Sequence, residues 1–295
     1  MAWILPKQLV RALATASACL AAAPVAQSEP APSTLSAYVQ LFGAYMYGYH
    51  RANDGFNEAR EQIPGVGGSG HAAWQATSNV SVQLDLWADR WSGRVFDYCD
   101  GEPCGERSWG TWRAGGAAHL TYHLPGGLQV GGVASMGYRK GFDGWANLGV
   151  EVAYNSDRLR LNAQAGYTPP LVEWARDGDV RGYYGHAGVT FYARPTLAVS
   201  ANAGMDIYRD CCGFTERTVT FGARVEVQPV GTPMALFAAY QGRFWKNTDT
   251  GVGDLNQHHF FGVGLSLLVG QDTIQNRDRA VGFSDYNGIY SPILR

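Results

Sequence analysis

The chain has little charge, few cysteines and no long apolar run beyond residue 30. Charged residues make up 16% of the 295 positions, and the net charge of −2 gives no basic surface that favours nucleic acid as a partner. No stretch of about 18 apolar residues follows residue 30, so we expect no membrane-spanning helix there. Glycine (38 residues) and the aromatics (16 Tyr, 12 Phe, 9 Trp) are abundant instead, and this composition predicts many strands joined by tight turns.

The first residues carry the features of an export leader. Lys7 and Arg11 give a positive start, and an apolar segment of about a dozen residues follows from Ala12 to Ala23. This segment is too short to span a membrane. We expect a secretory signal peptide over residues 1–28, with cleavage near Ala26 to Ser28.

The segment NVSVQLDLWAD, from Asn79 to Asp89, alternates apolar and polar side chains. A period of two residues indicates a strand with one apolar and one polar face. The same alternation recurs in WANLGVEVAY, DRLRLNAQAGY, TLAVSANAGMDIY, TVTFGARVEVQ and FGVGLSLLVG. We predict twelve strands of about ten residues, long enough for tilted strands to cross a bilayer. Their approximate spans are 36–50, 68–77, 80–90, 111–123, 127–138, 145–155, 158–168, 181–193, 196–208, 216–228, 233–245 and 256–269.

The predicted connections alternate between long and short. The long ones cover residues 51–67, 91–110, 139–144, 169–180, 209–215 and 246–255, whereas the short ones are rich in turn-forming residues. This order is typical of an all-β fold, a single transmembrane antiparallel up-and-down β-barrel with short periplasmic turns and long extracellular loops. We assign residues 29–270 to the barrel and 271–295 to a periplasmic C-terminal tail. An even strand number then places both termini in the periplasm.

Aromatic residues lie near the ends of the predicted strands. Those that border long connections or short turns are Trp91, Trp109, Trp112, Trp145, Trp245, Tyr122, Tyr154 and Tyr192. Rings of amphipathic aromatics at both membrane interfaces are typical of membrane barrels. We therefore expect the apolar strand faces to point outward to lipid and these aromatics to form two girdles. The alternative, in which they fill an ordinary core, stays open.

The leader and the segments SVQLDLWAD, AGGAAHLTYHLPGG, RLRLNAQAGY and FFGVGLSLLVG together resemble a bacterial outer-membrane β-barrel protein of the porin-like family. The resemblance covers nearly all of the chain after the leader. It implies an integral protein of the Gram-negative outer membrane, with outer-membrane lipid, lipopolysaccharide and the barrel-insertion machinery as partners. One feature departs from the family pattern. Such barrels commonly end on an aromatic residue of the last strand, whereas here about 25 residues follow Gly270.

With the apolar faces outward, the polar faces line the lumen. The predicted lumen residues are Gln83, Asp85, Glu151, Arg158, Arg160, Asn162, Gln164, Asn202, Asp206, Arg224, Glu226 and Arg243. Buried ionised groups need partners or water, and we expect Arg158 and Arg160 to neutralise Glu151 or Glu226. Two arrangements remain open. Water fills the lumen and lets ions and small hydrophilic solutes diffuse passively, or the charges pair across it and close it. The closed barrel would have a structural or surface-interaction role through its extracellular loops.

An enzymatic role is not expected. The outward positions of the clear strands carry neither the Ser nor the His of a barrel lipase, and the interior is polar where an acyl chain needs an apolar pocket. His119 and His123 share one face of a strand but lie roughly 13 Å apart, too far for a common metal ion. We therefore predict no catalytic residue, no metal and no cofactor.

Four cysteines lie in predicted long connections: Cys99, Cys104, Cys211 and Cys212. An exported protein can form disulfides, and the segment CDGEPC places Cys99 and Cys104 across a Gly/Pro turn. We favour a bond between these two. Cross-pairing with Cys211 or Cys212, or free thiols, stays open, because four cysteines allow three connectivities.

Overall fold

The computed structural model describes residues 35–51, 57–140, 142–169, 173–174, 178–179, 181–209, 215–247 and 255–283. The predicted leader, Cys211, Cys212 and the end of the tail from residue 284 lie outside these ranges. Within them, no helix combines the length and apolar character needed to cross a membrane.

Twelve strands form one closed antiparallel barrel. They are β1 (Leu35–Arg51), β2 (Asn57–Gln75), β3 (Val80–Cys99), β4 (Glu102–His123), β5 (Leu128–Arg139), β6 (Phe142–Asn155), β7 (Leu159–Thr168), β8 (Arg181–Arg194), β9 (Leu197–Arg209), β10 (Thr215–Val227), β11 (Met234–Asn247) and β12 (Leu255–Val269). Each strand pairs with its neighbours in the chain, and β1 closes the barrel against β12. A separate two-stranded pairing joins Glu173–Trp174 to Gly178–Asp179. The predicted twelve-strand up-and-down barrel is confirmed.

The two ends of the barrel differ in their connections. Short turns at residues 76–79, 124–127, 156–158, 195–196 and 228–233 join strands at one end, the turn end. The first strand begins and the last strand finishes at this end, since Ala37 lies opposite Val269. At the opposite end, the loop end, β3 and β4 extend furthest, to Cys99 and Glu102.

The strands at the loop end are longer than predicted. The long connections expected at 51–67 and 91–110 are wrong, because β2 already begins at Asn57 and only residues 100–101 separate β3 from β4. The extensions carry exposed charged residues such as Arg60 and Arg94 on their outer face. These extensions therefore lack the outward-facing apolar residues from which the other strands are predicted.

A disulfide closes the tip of the β3–β4 hairpin. Cys99 and Cys104 are bonded, with their Cα atoms 5.7 Å apart. Cys99 lies opposite Glu102 in the register of the two strands, so the bond joins residues that the hairpin already brings together. The favoured pairing is confirmed.

The apolar strand faces point outward. Leu86, Val150 and Val263 are 69%, 68% and 64% exposed, whereas Asp85 and Asp206 on the polar faces are at most 1% exposed. A continuous apolar outer surface suits contact with lipid rather than water. The polar faces accordingly enclose the lumen, as the alternation predicts.

Several aromatics predicted for the girdles point into the barrel instead. Trp112, Tyr122 and Tyr154 are exposed on the outer surface, as a girdle requires. The residues buried on the inner side are Trp91, Trp145, Trp245 and Tyr192, with Trp109 partly buried against Trp91. The error has a simple cause, because proximity to a strand end does not fix the face on which a residue lies.

The chain continues past the last strand into a short helix. After a turn at Gly270, whose φ of 75° favours glycine, helix α1 spans Ile274–Ala280. Thr273 caps its start, where the hydroxyl oxygen accepts a hydrogen bond from the Asn276 backbone N–H at 3.1 Å. Ile274 and Arg277 are buried against the barrel wall. We name the segment Ile274–Phe283 the plug.

Candidate functional site: the barrel lumen

The predicted lumen residues lie on the inner face of the barrel, with one exception. Those placed there are Gln83, Asp85, Glu151, Arg160, Asn162, Gln164, Asn202, Asp206, Arg224, Glu226 and Arg243. Arg158 lies in the short turn before β7 and is exposed, because the strand begins only at Leu159. Its side chain therefore does not line the lumen.

The plug is attached to the wall by a buried ion pair. Arg277 Nη1 and Nη2 donate hydrogen bonds to Glu226 Oε1 and Oε2 at 2.6 and 3.0 Å. Arg224 Nη2 also donates to Glu226 Oε2 at 3.0 Å, and the Ser266 hydroxyl donates to Oε1 at 3.0 Å. Two guanidinium groups thus compensate one buried carboxylate, which is the condition for keeping such a charge in a poorly hydrated interior.

Further contacts hold the plug on several sides. The Tyr192 hydroxyl donates to Asp278 Oδ2 at 2.8 Å, and Arg160 donates to the Asp278 backbone carbonyl. Phe283 N–H donates to Gln83 Oε1 at 3.2 Å, and the Gln83 amide donates back to the Phe283 carbonyl. Because these wall residues belong to β3, β7 and β8, the plug extends across the lumen at the turn end.

A chain of histidines and carboxylates follows the wall beyond the plug. His119 lies between two acids, with Nε2 3.0 Å from Asp85 Oδ2 and Nδ1 3.0 Å from Glu151 Oε2. Glu151 reaches His119 across β5, where Gly131 leaves the space open, since a Cβ there would lie 3.1 Å from Glu151 Oε1. Histidine therefore partners Glu151, and the expected pairing of Glu151 with Arg158 or Arg160 does not occur.

Other ion pairs lie closer to the loop end. Arg113 binds both carboxylate oxygens of Asp89, with Nη2 2.6 Å from Oδ2 and Nε 2.9 Å from Oδ1, and both side chains are buried. Two looser pairs occur elsewhere on the wall, Arg243 with Glu216 at 3.4 Å and His186 with Asp206 at 3.1 Å. Pairing of lumen charges, one of the two arrangements left open by the sequence, is thus extensive.

Ser69, His71 and Asp85 contact one another on the inner wall, with the imidazole between the hydroxyl and the carboxylate. His71 Nε2 lies 3.0 Å from the Ser69 hydroxyl oxygen. His71 Nδ1 lies 2.9 Å from Asp85 Oδ1, and the same carboxylate also contacts His119 Nε2 and the Gln83 amide. Strand N–H groups are also committed to the sheet, so they do not offer an oxyanion site.

His50, Glu61 and His258 form a compact group at the loop end, the loop-end cluster. Glu61 Oε1 lies 3.1 Å from His50 Nε2, and Glu61 Oε2 lies 3.0 Å from His258 Nε2. The two Nε2 atoms are 3.2 Å apart. Two imidazoles and one carboxylate are common ligands of divalent transition metals. Sequence reasoning considered only His119 and His123, because the closure of the barrel, and not local spacing, brings these three residues together.

Two cavities of about 190 Å³ each lie between these groups. The first is bounded by the plug and by a polar part of the wall that includes Arg160, Asn162, Asn202, Arg224 and Gln241. The second lies at the loop end and is bounded by the loop-end cluster with Met46, Trp109, Arg139 and Trp245. The lumen is thus partly filled by side chains and the plug, with a cavity on each side of the central charge network.

No family model and no curated protein matches the sequence. Solved structures match it in shape. An outer membrane channel from Pseudomonas putida F1 is 10% identical, with 84% of this chain and 100% of that chain covered and a TM-score of 0.50. The beta domain of the Bordetella autotransporter BrkA is 13% identical, with 80% and 100% covered and a TM-score of 0.47. The CymD monoaromatic hydrocarbon channel is 9% identical, with 80% and 89% covered and a TM-score of 0.46.

At 10% identity, the similarity to the Pseudomonas putida channel bears on the fold alone. The match covers the whole of that protein, and the present chain is a closed antiparallel barrel with an apolar outer surface. The chain has the fold of bacterial outer-membrane β-barrel proteins.

Proposed function

We propose that the protein is an outer-membrane channel for passive diffusion of ions and small hydrophilic solutes, and not an enzyme. In this proposal the loop end faces the exterior, and the turn end, with both termini, faces the periplasm. The observation that carries it is the polar cavity of about 190 Å³ between the plug and the wall. A barrel with a purely structural role needs a packed interior, whereas this one keeps polar side chains around open space.

The plug crosses the lumen at the turn end, so in this proposal transport requires it to move. Its anchoring contacts are largely polar, made through Arg277, Asp278 and the Phe283 backbone. Water can replace the neutral hydrogen bonds among them at about 1 kcal/mol each, whereas release of the buried Arg277–Glu226 pair costs more. A plug held in this way suits a channel that alternates between closed and open states.

The lumen charges support weak selectivity. Most of the buried acids have a positive partner on the wall or the plug, as in the Asp89–Arg113 and Glu226–Arg277 pairs. Among the residues that the structure describes, local compensation leaves no ring of one sign, which is the usual basis of strong ion selectivity. We therefore expect small ions of both signs to pass.

The test is single-channel recording from the purified full chain in planar bilayers. We expect discrete conductance steps, and a shift of reversal potential toward cations in a salt gradient for Arg224→Gln. Arg158→Gln is the matched control, because this arginine is exposed in a turn, and it should behave like the unmodified protein. Folding is checked by heat-modifiable gel mobility for each variant.

Absence of conductance steps would decide between the channel and the closed barrel. If the folded protein and a variant with a loosened plug, Arg277→Ala, both give no steps, the channel proposal fails. The closed barrel that acts through its extracellular loops would then replace it. The extensive ion pairing of the lumen wall is the observation that favours this second role.

A further inference from the structure

We propose that the loop-end cluster, His50, Glu61 and His258, binds one divalent transition-metal ion of the zinc class. The two Nε2 atoms lie 3.2 Å apart, Glu61 Oε1 lies 3.1 Å from His50 Nε2, and Glu61 Oε2 lies 3.0 Å from His258 Nε2. Ligands at about 2.0–2.1 Å around a tetrahedral metal ion lie about 3.3 Å apart, so the separation matches with little adjustment. A set of two histidines and one glutamate is also a common donor set of zinc sites that keep a position open.

The sheet builds this geometry around a glycine. In the barrel register, Gly48 of β1 lies between its partners His258 of β12 and Glu61 of β2. A Cβ at Gly48 would lie 2.7 Å from the His258 ring and 2.8 Å from Glu61 Oε2. The missing side chain therefore lets the two ligands converge over the backbone of the strand between them.

The hydrogen bond of His50 orients its ring for metal binding. His50 Nδ1 lies 3.1 Å from Asn256 Oδ1, and this amide oxygen can only accept, so Nδ1 carries the proton. In a neutral imidazole, Nε2 then presents a lone pair toward Glu61 and His258. A metal ion at the point that these groups face would bind this lone pair together with the Glu61 carboxylate and the His258 ring. Such support of a ligating histidine by an outer hydrogen bond is typical of metal sites.

The rings are held in place before any ion binds. His258 is buried and packs edge-on against Trp245 at a centroid distance of 4.5 Å, and His50 packs against the same ring at 5.3 Å. Fixed ligands lose little conformational entropy on binding, which raises affinity. The adjoining cavity of about 190 Å³ also includes Arg139, so an anion such as chloride or a carboxylate suits the fourth position.

The experiment measures metal binding directly. The full chain, without an affinity tag and in a Cys211→Ser, Cys212→Ser background that removes competing thiols, is stripped with chelator in detergent. ZnCl2 is then titrated by calorimetry and CoCl2 by visible absorption. We expect one equivalent to bind, with the intense bands of a four- or five-coordinate Co2+ ion.

Variants locate the ion. His258→Ala, Glu61→Gln and Gly48→Ala should each weaken Zn2+ binding at least 100-fold, and Asn256→Ala, which frees the His50 ring, should weaken it about 10- to 100-fold. His259→Ala is the matched control, because this neighbouring histidine contacts the Tyr240 hydroxyl instead of the cluster, and it should bind like the parent.

Two outcomes would contradict a metal site at the loop-end cluster. If the parent binds no stoichiometric metal, or if Glu61→Gln and His258→Ala bind as tightly as the parent, the loop-end cluster is not a metal site. Glu61→Gln preserves side-chain shape, and heat-modifiable mobility confirms folding, so loss of the fold is distinguished from loss of a ligand. The readout does not depend on conductance, so failure of the metal site can be distinguished from failure of the proposed channel.

Discussion

Arg277 of the plug and Glu226 of β10 form a two-point ion pair inside the barrel, with N···O distances of 2.6 and 3.0 Å. Glu226 keeps a second partner on its own strand, since Arg224 donates to it at 3.0 Å. Loss of Arg277 therefore does not leave a buried carboxylate without compensation. The pair connects the C-terminal segment to the wall in a way that substitution can release while the barrel stays intact.

We expect Arg277→Ala to weaken docking of the plug on the wall by about 1.5–3 kcal/mol, because its charge-assisted hydrogen bonds to Glu226 are lost while Arg224 still compensates the carboxylate. The measurement is hydrogen exchange at the Val281 amide, which donates to the Arg277 carbonyl at 2.8 Å in α1. Exchange there should accelerate while the barrel strands stay protected. Asn276→Ala is the control, since this side chain donates to Asp272 at an exposed position. Unchanged exchange at Val281 would show that the ion pair does not hold the plug.

The sequence allows prediction of the barrel because lipid and lumen impose opposite demands on alternate residues. Leu86 and Asp85 are neighbours in the chain, yet one is exposed on the outer surface and the other is buried in the lumen. The same parity, continued through Trp87, Asp89 and Trp91, places these tryptophans inside, as the structure shows. Alternation along the strand therefore predicts that Trp91 faces inward, whereas its proximity to a strand end does not.

The contacts within the lumen could not be predicted in the same way. His50 and His258 are separated by 208 positions, and they meet only because β1 pairs with β12 in one particular register. Likewise, His119 finds Glu151 across an intervening strand. Alternation tells which face a residue occupies, but partners across the sheet depend on register and closure, which a single sequence does not specify.

The orientation of the apolar face can be tested with a single charge. Val150 lies on the outer surface of β6, and Val230 lies in a short turn, where it is almost fully exposed. If the outer surface contacts lipid, Val150→Arg should destabilise the folded protein in lipid vesicles by about 2–4 kcal/mol, whereas Val230→Arg should have an effect below about 1 kcal/mol. Denaturant unfolding followed by tryptophan fluorescence measures both. Equal effects would contradict a lipid-facing Val150.

The disulfide at the tip of the β3–β4 hairpin should stabilise only that tip. A bond that closes so short a segment contributes about 2 kcal/mol by restricting the unfolded chain. In the double variant Cys99→Ser, Cys104→Ser, we expect faster hydrogen exchange near residues 95–107 and an unchanged midpoint for unfolding of the barrel. The variant Cys211→Ser, Cys212→Ser serves as the control and should leave exchange at the tip unaltered. A large drop in barrel stability would show that the hairpin extension is coupled to the whole fold.

The Asp89–Arg113 pair provides a direct comparison of buried and exposed ion pairs. Arg113→Leu leaves the Asp89 carboxylate buried without this partner, and we expect a loss of about 3–5 kcal/mol in the free energy of unfolding. Arg94→Leu removes the exposed pair with Glu106, where N and O are 3.0 Å apart, and should cost less than about 1 kcal/mol. Both values come from urea unfolding in detergent. If the two substitutions have similar effects, the lumen around Asp89 is hydrated well enough to screen the charge, and the ion pair does not rigidify the wall.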